Sequence, residues 1–263
     1  MAGWGCAGEK FRQTALVGDE ILVMNQRGPL NGLGVVFLRL VVVFGEDTFL
    51  APIKLPMIDH PPVYSLSFTA ASLRPELARI IAEHYLATGD WDQVKRQILS
   101  TNALQCRTLT TAIRLECELR RRLTTLTRDQ VALLARATAE DRAAMAWLGV
   151  CKRHRFAFEI AAEVLREKLE ARDPVLRLSD YEGYIESQAV LQSRIAQLTS
   201  QSKVKVRQVL LRMLGEAGLM IGGTALGAIQ RPALSSAVSR VIIEDNPRWL
   251  AGFLVTDAEI TSH

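Results

Sequence analysis

The sequence lacks the residue patterns that mark several classes of protein. Only four of its 263 residues are cysteine, and their positions show no paired spacing, which excludes a disulfide scaffold and fits a reducing compartment. The longest apolar run, residues 35–44, has ten residues and contains Arg39, whereas a membrane-spanning helix needs about 20. The N-terminus lacks the basic start and apolar core of a signal peptide. We therefore expect a cytoplasmic protein that makes no contact with a membrane.

Catalytic and metal-binding motifs are also missing. The four histidines are scattered, and the sequence contains no HExxH, CxxC, GxSxG or GxxxxGK[ST] pattern, which are the signatures of zinc, thiol, serine-nucleophile and phosphate-loop chemistry. Glu116 and Glu118 are two positions apart, so on a helix they would point to different faces. We therefore expect no enzymatic activity, no catalytic residue, no metal site and no cofactor.

The overall composition is that of a globular protein with a small excess of positive charge. Hydrophobic residues make up 49% of the chain and charged residues 23%, which excludes a disordered tail or a collagen-like fibre. The formal net charge is +4, which permits a nucleic-acid partner without requiring one. Residues 1–56 carry five basic and five acidic residues. The whole excess therefore lies in residues 57–263.

A change in pattern near residue 57 divides the chain. Residues 1–56 hold 8 of the 17 glycines and two β-like apolar runs, Ile21–Met24 and Val35–Phe44. They are either an extension produced by a misplaced start upstream of Met57 or a β-rich appendage. The remaining residues have helical periodicity almost throughout, except at Asp173-Pro174. We therefore predict an N-terminal helical subdomain, 57–172, and a C-terminal one, 173–263.

Helix starts and stops can be placed from capping residues. The pattern predicts helices that begin at the following caps: Ser72 (with Gly89 as the stop), Asp90, Thr127 with Gln130 as a capping box, Ser179 with Glu182 as a second box, and Ser202. Further helices are predicted over 108–123, 140–151 and 154–169, and a last one from near Pro232 through Val241.

The first candidate nucleic-acid element has a helix–turn–helix order, with a short helix (91–99), a polar turn (100–107) and a longer helix (108–123). Arg107, Arg114 and Arg121 are seven positions apart and Thr111 lies between the first two, so all four side chains fall on one stripe, where guanidinium and hydroxyl groups suit phosphate oxygens. The opposite face is predicted to be buried, through Leu109, Ala112, Leu115, Leu119 and Leu123. A solvated arginine face is the alternative interpretation, and the eight-residue turn exceeds the usual three or four.

The second candidate element has a turn of the usual length. A helix over 181–198 is followed by the turn 199–202 and a helix over 203–217. Lys203, Lys205, Arg207 and Arg212 lie outside a buried face of aliphatic residues. Basic residues at a helix start oppose the helix dipole, so a bound anion would offset that cost. The glycine-rich turn and helix that follow resemble the end of many winged-helix modules.

A third basic cluster joins two predicted helices. Lys152, Arg153 and Arg155 surround His154. Such a run is typical of a solvated corner, and it would equally extend a phosphate-binding track.

Three segments in order resemble the BrxA family of BREX phage-defence systems. The first carries the SFT-x-ASL opening from Ser67 to Leu73, and the second carries Trp91 and the N-x-L-Q-x-RT-x-x-T-x-x-R run from Asn102 to Arg114. RRL-x-x-L follows from Arg121, and WLGVCKRHRFAFEIAAEVLREK forms the third segment. The resemblance covers residues 64–220 and none of residues 1–56.

The resemblance implies an all-α fold, a compact helical bundle similar to the antitermination factor NusB, with two helix–turn–helix-like elements. It also implies binding of double-stranded DNA, and work beside a methyltransferase, an ATPase and a phosphatase-like protein of the same system. We therefore expect a non-enzymatic protein whose basic helices contact mainly the phosphate backbone. The alternatives are an adaptor that assembles BREX proteins without binding DNA, and RNA binding in the manner of NusB.

Overall fold

The computed structural model describes three strands within the first 49 residues, then residues 64–221 and 227–262. The chain divides into two compact units, Met1–Pro61 and Pro62–His263. In the first, β1 (Ile21–Met24), β2 (Arg39–Phe44) and β3 (Asp47–Phe49) form an antiparallel sheet with β2 in the middle. Ile21 pairs with Val42, and Val42 with Phe49. The proposed start at Met57 lies outside the described residues.

The described part of the second unit is helical, which confirms the predicted all-α fold. The helices are α1 (Pro75–Thr88), α2 (Trp91–Ser100), α3 (Leu109–Leu123), α4 (Arg128–Arg136), α5 (Ala139–Arg153), α6 (Arg155–Glu159), α7 (Arg166–Glu170), α8 (Leu178–Leu191), α9 (Ser193–Ala196), α10 (Ser200–Glu216), α11 (Ser236–Ile243) and α12 (Asp257–Thr261). A π-helical segment, Ile160–Leu165, joins α6 to α7, and 3-10 helices cover Ser67–Ala70 and Pro247–Phe253.

Several helix ends are set by the predicted local signals. Gly89 ends α1 with a left-handed φ of 70°, a conformation that glycine adopts without strain. Asp90 caps α2 by accepting a hydrogen bond from the Asp92 amide at 2.8 Å. The capping box of Thr127 and Gln130 at the start of α4 is also confirmed.

Three predicted caps are wrong because other residues hold those turns, and two of them are at α1 and α8. Ser72 is buried and does not cap α1, which begins at Pro75 after Arg74 in the left-handed region. Ser179 lies inside α8, where Asp180 accepts from the Arg177 amide at 2.7 Å.

The core of this unit is formed where α1, α3, α4 and α5 pack against one another. α5 is its centre, because its residues 144–151 are all buried. Gly149 permits the approach of α5 to α3, since an added Cβ would lie 3.2 Å from the Arg122 carbonyl oxygen. The indole N–H of Trp147 donates to the Gly252 carbonyl at 2.8 Å. The 3-10 helix Pro247–Phe253 is thereby fixed against α5, a contact that the sequence did not predict.

The boundary that was predicted at residues 172 and 173 is a break between helices within the second unit. Asp173 lies in the connection from α7 to α8, and residues on both sides of it belong to the one unit Pro62–His263. The division into two helical subdomains stays a prediction.

Candidate nucleic-acid interface

The second predicted element is built from α8, α9 and α10, because the helix predicted over 181–198 is divided into α8 and α9. The four-residue helix α9 is anchored by the fully buried Ile195, and three residues separate it from α10. Thr199 caps α10 by accepting from the Ser202 amide at 3.2 Å. α10 therefore begins three residues before the predicted start, because Thr199 and not Ser202 is the cap. A short helix, a three-residue turn and a longer helix result.

The basic side chains of α10 differ in what they contact. Lys203, Lys205 and Arg212 are exposed, and none of them forms an ion pair with any residue that the structure describes. Arg207 is half-buried and lies 3.4 Å from the Glu182 carboxylate of α8. The sole acidic residue of α10 is Glu216, at its far end. At the exposed start of this helix, all of the charged side chains are therefore cationic.

Two isolated β-bridges join segments around α8 and α10. Met220 pairs with Ile229, and Val175 pairs with Ala228, both antiparallel. The Ile221 amide donates to the Ala228 carbonyl at 2.9 Å, and the Leu176 amide donates to the Gly227 carbonyl at 3.0 Å. The segment before α8 and the segments after α10 are thus joined by backbone hydrogen bonds. Residues 222–226, between two of these segments, lie outside the described residues.

The first predicted element consists of α2, α3 and the loop between them. Asn102 and Gln105 have left-handed φ angles of 48° and 50°. The Asn102 side-chain amide donates to the Cys106 carbonyl at 3.2 Å, and its oxygen accepts from the Cys106 amide at 3.0 Å. The long turn is therefore a closed loop that leads to Arg107 at the start of α3.

The predicted stripe of α3 is brought together on the surface. Arg107, Thr111, Arg114 and Arg121 are all exposed, and the described residues supply none of the three arginines with an ion-pair partner. Thr108 caps α3, and its hydroxyl oxygen lies 2.9 Å from that of Thr111.

The predicted buried face of α3 is wrong at its start. Leu109 is 63% exposed and Ile113 is 42% exposed. Ala112, Leu119 and Leu123 are buried as predicted, Leu115 is half-buried, and Glu116 is buried with them. An exposed aliphatic pair therefore lies beside the arginines.

The third basic cluster does not form a continuous surface. Arg153 is exposed, whereas the side chain of Lys152 is only 7% exposed. The Lys152 ammonium lies 2.7 Å from Asp245, 2.9 Å from the Gln130 side-chain oxygen and 3.2 Å from the Thr125 carbonyl. Lys152 is therefore a packing residue, and its prediction as a phosphate contact is wrong. Arg155 is paired with Glu159.

A buried network of charged groups supports α3 from inside. Glu118 accepts from the Arg122 guanidinium at 3.0 Å, from the Ser67 hydroxyl at 3.0 Å, and lies 2.7 Å from His154 Nε2. His154 Nδ1 faces the Ser65 carbonyl at 3.2 Å, and Arg122 also donates to the Ser72 and Ala71 carbonyls. Burial raises the pKa of Glu118, but the His154 bond and the Arg122 charge outweigh it and lower that pKa to about 2. Sequence reasoning missed this network because its members are far apart in the chain.

A second buried carboxylate links the start of the helical unit to α8. Glu159, next to the π segment, accepts hydrogen bonds from the Tyr64 hydroxyl and, at 3.2 Å, from the Tyr184 hydroxyl. The Tyr64 amide donates to the Gln192 side chain at 3.2 Å. Burial and the adjacent Glu159 raise the pKa of Tyr64. Tyr64 therefore ties the α8–α9 corner to the helical core, and that corner positions α10.

The two basic helices meet the same 3-10 helix, Ser67–Ala70, which contacts both α3 and α10. The Leu73 amide donates to the Glu216 carboxylate at the end of α10, at 2.7 Å. The acidic end of α10 is thereby fixed in the helical unit, and its cationic start extends away from that anchor.

Within residues 64–221 and 227–262, the structure contains no group of three or more histidine, cysteine or acidic side chains placed to hold a metal ion. None of the helices in these residues is long and apolar enough to cross a membrane.

The fold and this surface define an all-α protein in which α10 presents a cationic start. The sequence model of the BrxA family matches residues 62–246. The chain therefore belongs to the BrxA family, as the sequence motifs indicated.

Two relatives support this assignment, and one solved structure shares the fold. "BREX protein BrxA" of Escherichia coli O9:H4 (strain HS) is 26% identical over 162 residues, which are 62% of this chain and 76% of the relative. "BREX protein BrxA" of Bacillus cereus (strain H3081.97) is 24% identical over 143 residues, 54% of this chain and 72% of the relative. A crystal structure of an uncharacterized protein from Magnetospirillum magneticum has a TM-score of 0.62 and 19% identity, covering 73% of this chain and 98% of that one. This last likeness concerns the fold alone, and the predicted likeness to NusB stays a prediction.

Proposed function

We propose that this protein is a non-enzymatic, cytoplasmic component of a BREX phage-defence system that binds double-stranded DNA. The proposal that this protein is a BREX component is supported by its family and by the names of both relatives. Its proposed partners are the other BREX proteins, among them the methyltransferase, the ATPase and the phosphatase-like component.

The observation that carries DNA binding is the cationic start of α10. Three exposed cationic side chains lie on a helix that follows a short helix and a three-residue turn, with no acidic residue before Glu216. Positive side chains at the N-terminus of a helix destabilise it through the helix dipole, and bound phosphate groups would offset that destabilisation. The exposed α3 stripe of Arg107, Thr111, Arg114 and Arg121 supplies a second set of phosphate contacts, and Arg153 a further one.

The test is a titration of random-sequence duplex DNA with the full chain at several salt concentrations. We expect log affinity to fall linearly with log salt, with a slope of about −0.9 for each neutralised phosphate. The double variant Lys203→Ala, Lys205→Ala should weaken binding and make the slope shallower by about 2. Arg79→Ala is the matched control, because Arg79 is paired with Glu76 and Glu83 on α1. Absence of binding at low salt would overturn the proposal. A preference for duplex RNA over duplex DNA in competition would show that the ligand is RNA.

A second candidate, the adaptor function, is favoured by one observation. Leu109 and Ile113 are exposed one turn apart on α3, beside Arg107 and Arg114. Exposed aliphatic side chains with flanking charges are typical of a protein contact. The double variant Leu109→Ser, Ile113→Ser should abolish co-purification with other BREX proteins at high salt and leave DNA affinity unchanged. Co-purification that persists in this variant would exclude α3 as the adaptor surface.

A further inference from the structure

The outward face of α10 carries side chains that phosphate binding does not need. Gln201, Val204, Lys205 and Gln208 are three, four and seven positions apart, so they share one face of the helix. All four are exposed, and Val204 is 41% exposed although it is aliphatic. The opposite face is fully used for packing, through Val206, Leu210, Met213 and Leu214.

The chemistry of this face matches the edges of base pairs in the major groove. A glutamine side chain presents one donor and one acceptor and pairs in a bidentate manner with adenine N6 and N7. An aliphatic side chain contacts the methyl group of thymine, and a lysine ammonium donates to guanine O6 and N7. Contact with phosphates alone would favour only the cationic members of this set.

The length of the exposed face also fits a groove. From Ser200 to Gln208 the helix rises about 13 Å at about 1.5 Å per residue, and the major groove is about 12 Å wide. Arg212, four positions after Gln208 on the same face, is also exposed. The residues proposed to enter the groove are those of the first two to three turns, where this face carries Gln201, Val204, Lys205 and Gln208.

The flanking residues supply the backbone contacts that such a helix requires. Arg194 on α9 and Lys203 on α10 are both exposed, and Lys203, two positions from Gln201, points away from this face. These two cations are available to phosphate groups, whereas Lys205 lies on the face together with the amides. The corresponding part of α3 differs, because its exposed centre carries Leu109 and Ile113 and no amide.

We propose that α10 reads base edges in the major groove, with Gln201 and Gln208 recognising adenines and Val204 the methyl of a thymine. This inference rests on the DNA binding proposed above, and it departs from the expectation that contacts would be mainly to the backbone. The DNA site would then contain A·T pairs at the positions of the two amides.

The test is selection of duplexes from a random library with the full chain, followed by affinity measurements on the selected site and a scrambled one. We expect the selected site to contain at least one fixed A·T pair and to bind about tenfold or more tightly than the scrambled duplex, the discrimination expected of one bidentate contact. Gln208→Ala should remove the preference at one position, with random-sequence affinity and salt slope unchanged.

Lys203→Ala is the matched control on the same helix. It should weaken binding to every sequence and make the salt slope shallower by about 1, while the base preference is retained. Binding without any base preference would overturn this inference and leave the proposed function standing. An equal loss of affinity for every sequence in Gln208→Ala would also overturn it, because that amide would then be bound to the backbone. Failure to bind any duplex would overturn both.

Discussion

Arg121 and Arg122 are neighbours in the sequence with opposite surroundings. Arg121 is exposed, and Arg122 is buried against Glu118 and two backbone carbonyls. A single position on a helix thus separates a side chain available to a ligand from one that holds the fold. The basic run at the end of α3 serves both purposes.

The two arginines give a direct comparison of stability. Arg122→Ala should reduce the free energy of unfolding by about 3–5 kcal/mol, because it leaves the Glu118 charge buried beside unpaired carbonyl groups. Arg121→Ala should change it by less than about 0.5 kcal/mol. Urea unfolding followed by tryptophan fluorescence measures both. Equal effects of the two substitutions would contradict the assigned surroundings.

The buried network also predicts a dependence of stability on pH. The pKa of Glu118 is lowered from 4.5 to about 2 in the folded protein, so its ionised form stabilises folding above about pH 4.5 and that contribution disappears as pH falls towards 2. The contribution is on the order of 3 kcal/mol.

Urea midpoints measured between pH 6 and 3 test this expectation. Glu118→Gln should be less stable than the natural protein at pH 6, and the difference should shrink as the pH falls. Other carboxylates contribute to the pH dependence of stability in both proteins, so the difference between the two stabilities isolates the contribution of Glu118. A difference that is constant with pH would contradict the lowered pKa.

At the scale of elements, the C-terminal segment is part of the fold although the family match ends at residue 246. The 3-10 helix Pro247–Phe253 buries Leu250 and Phe253 and accepts the Trp147 indole bond. α12 buries none of its residues, and it is attached by the ion pairs Arg166–Asp257 and Arg231–Glu259.

Two truncations should therefore behave differently. A chain that ends at Asn246 should lose at least about 3–5 kcal/mol of stability, the cost of removing one buried aromatic side chain. A chain that ends at Thr256 should lose about 1–2 kcal/mol, because its lost ion pairs are largely exposed. Thermal or urea unfolding of the purified chains distinguishes them. Similar losses in both would show that the 3-10 helix contributes little.

Local signals predicted the elements, and contacts between distant residues decided the details. Asp90, Gly89 and the Thr127 box could be read from the sequence because their bonds close within four residues. Ser72 failed as a cap because Leu73 is held by Glu216, far along the chain. The exposure of Arg114 followed from periodicity, whereas the burial of Lys152 depends on Asp245. Periodicity also failed for Leu109, which is exposed in the first turn of α3 although Ala112 and Leu119 on the same face are buried.

At the scale of the whole molecule, the excess of positive charge and the core both belong to residues 62–263. The described hydrophobic core is formed by residues from Tyr64 to Val255, and Met1–Pro61 is a separate compact unit. The Tyr64 contacts with Glu159 and Gln192 hold the start of the second unit against its own helices.

Residues 62–263 should therefore fold without residues 1–61. We expect a single cooperative urea transition with the midpoint of the full chain, and unchanged DNA affinity, because a unit with its own core is able to fold alone. Circular dichroism and the salt titration test both properties. A lower midpoint would show that the first unit stabilises the second.

The position of Cys151 makes its thiol a reporter of local opening at the C-terminal segment. Its thiol is buried on α5, and a Cβ at Gly252 would lie only 3.0 Å from the sulfur. Burial raises the pKa of this thiol, so in the folded protein the thiol is both shielded from reagents and protonated. Reagents that alkylate thiolates can attack it only while the segment around Gly252 is detached. The rate of alkylation at Cys151 thus records how often the C-terminal segment leaves the core.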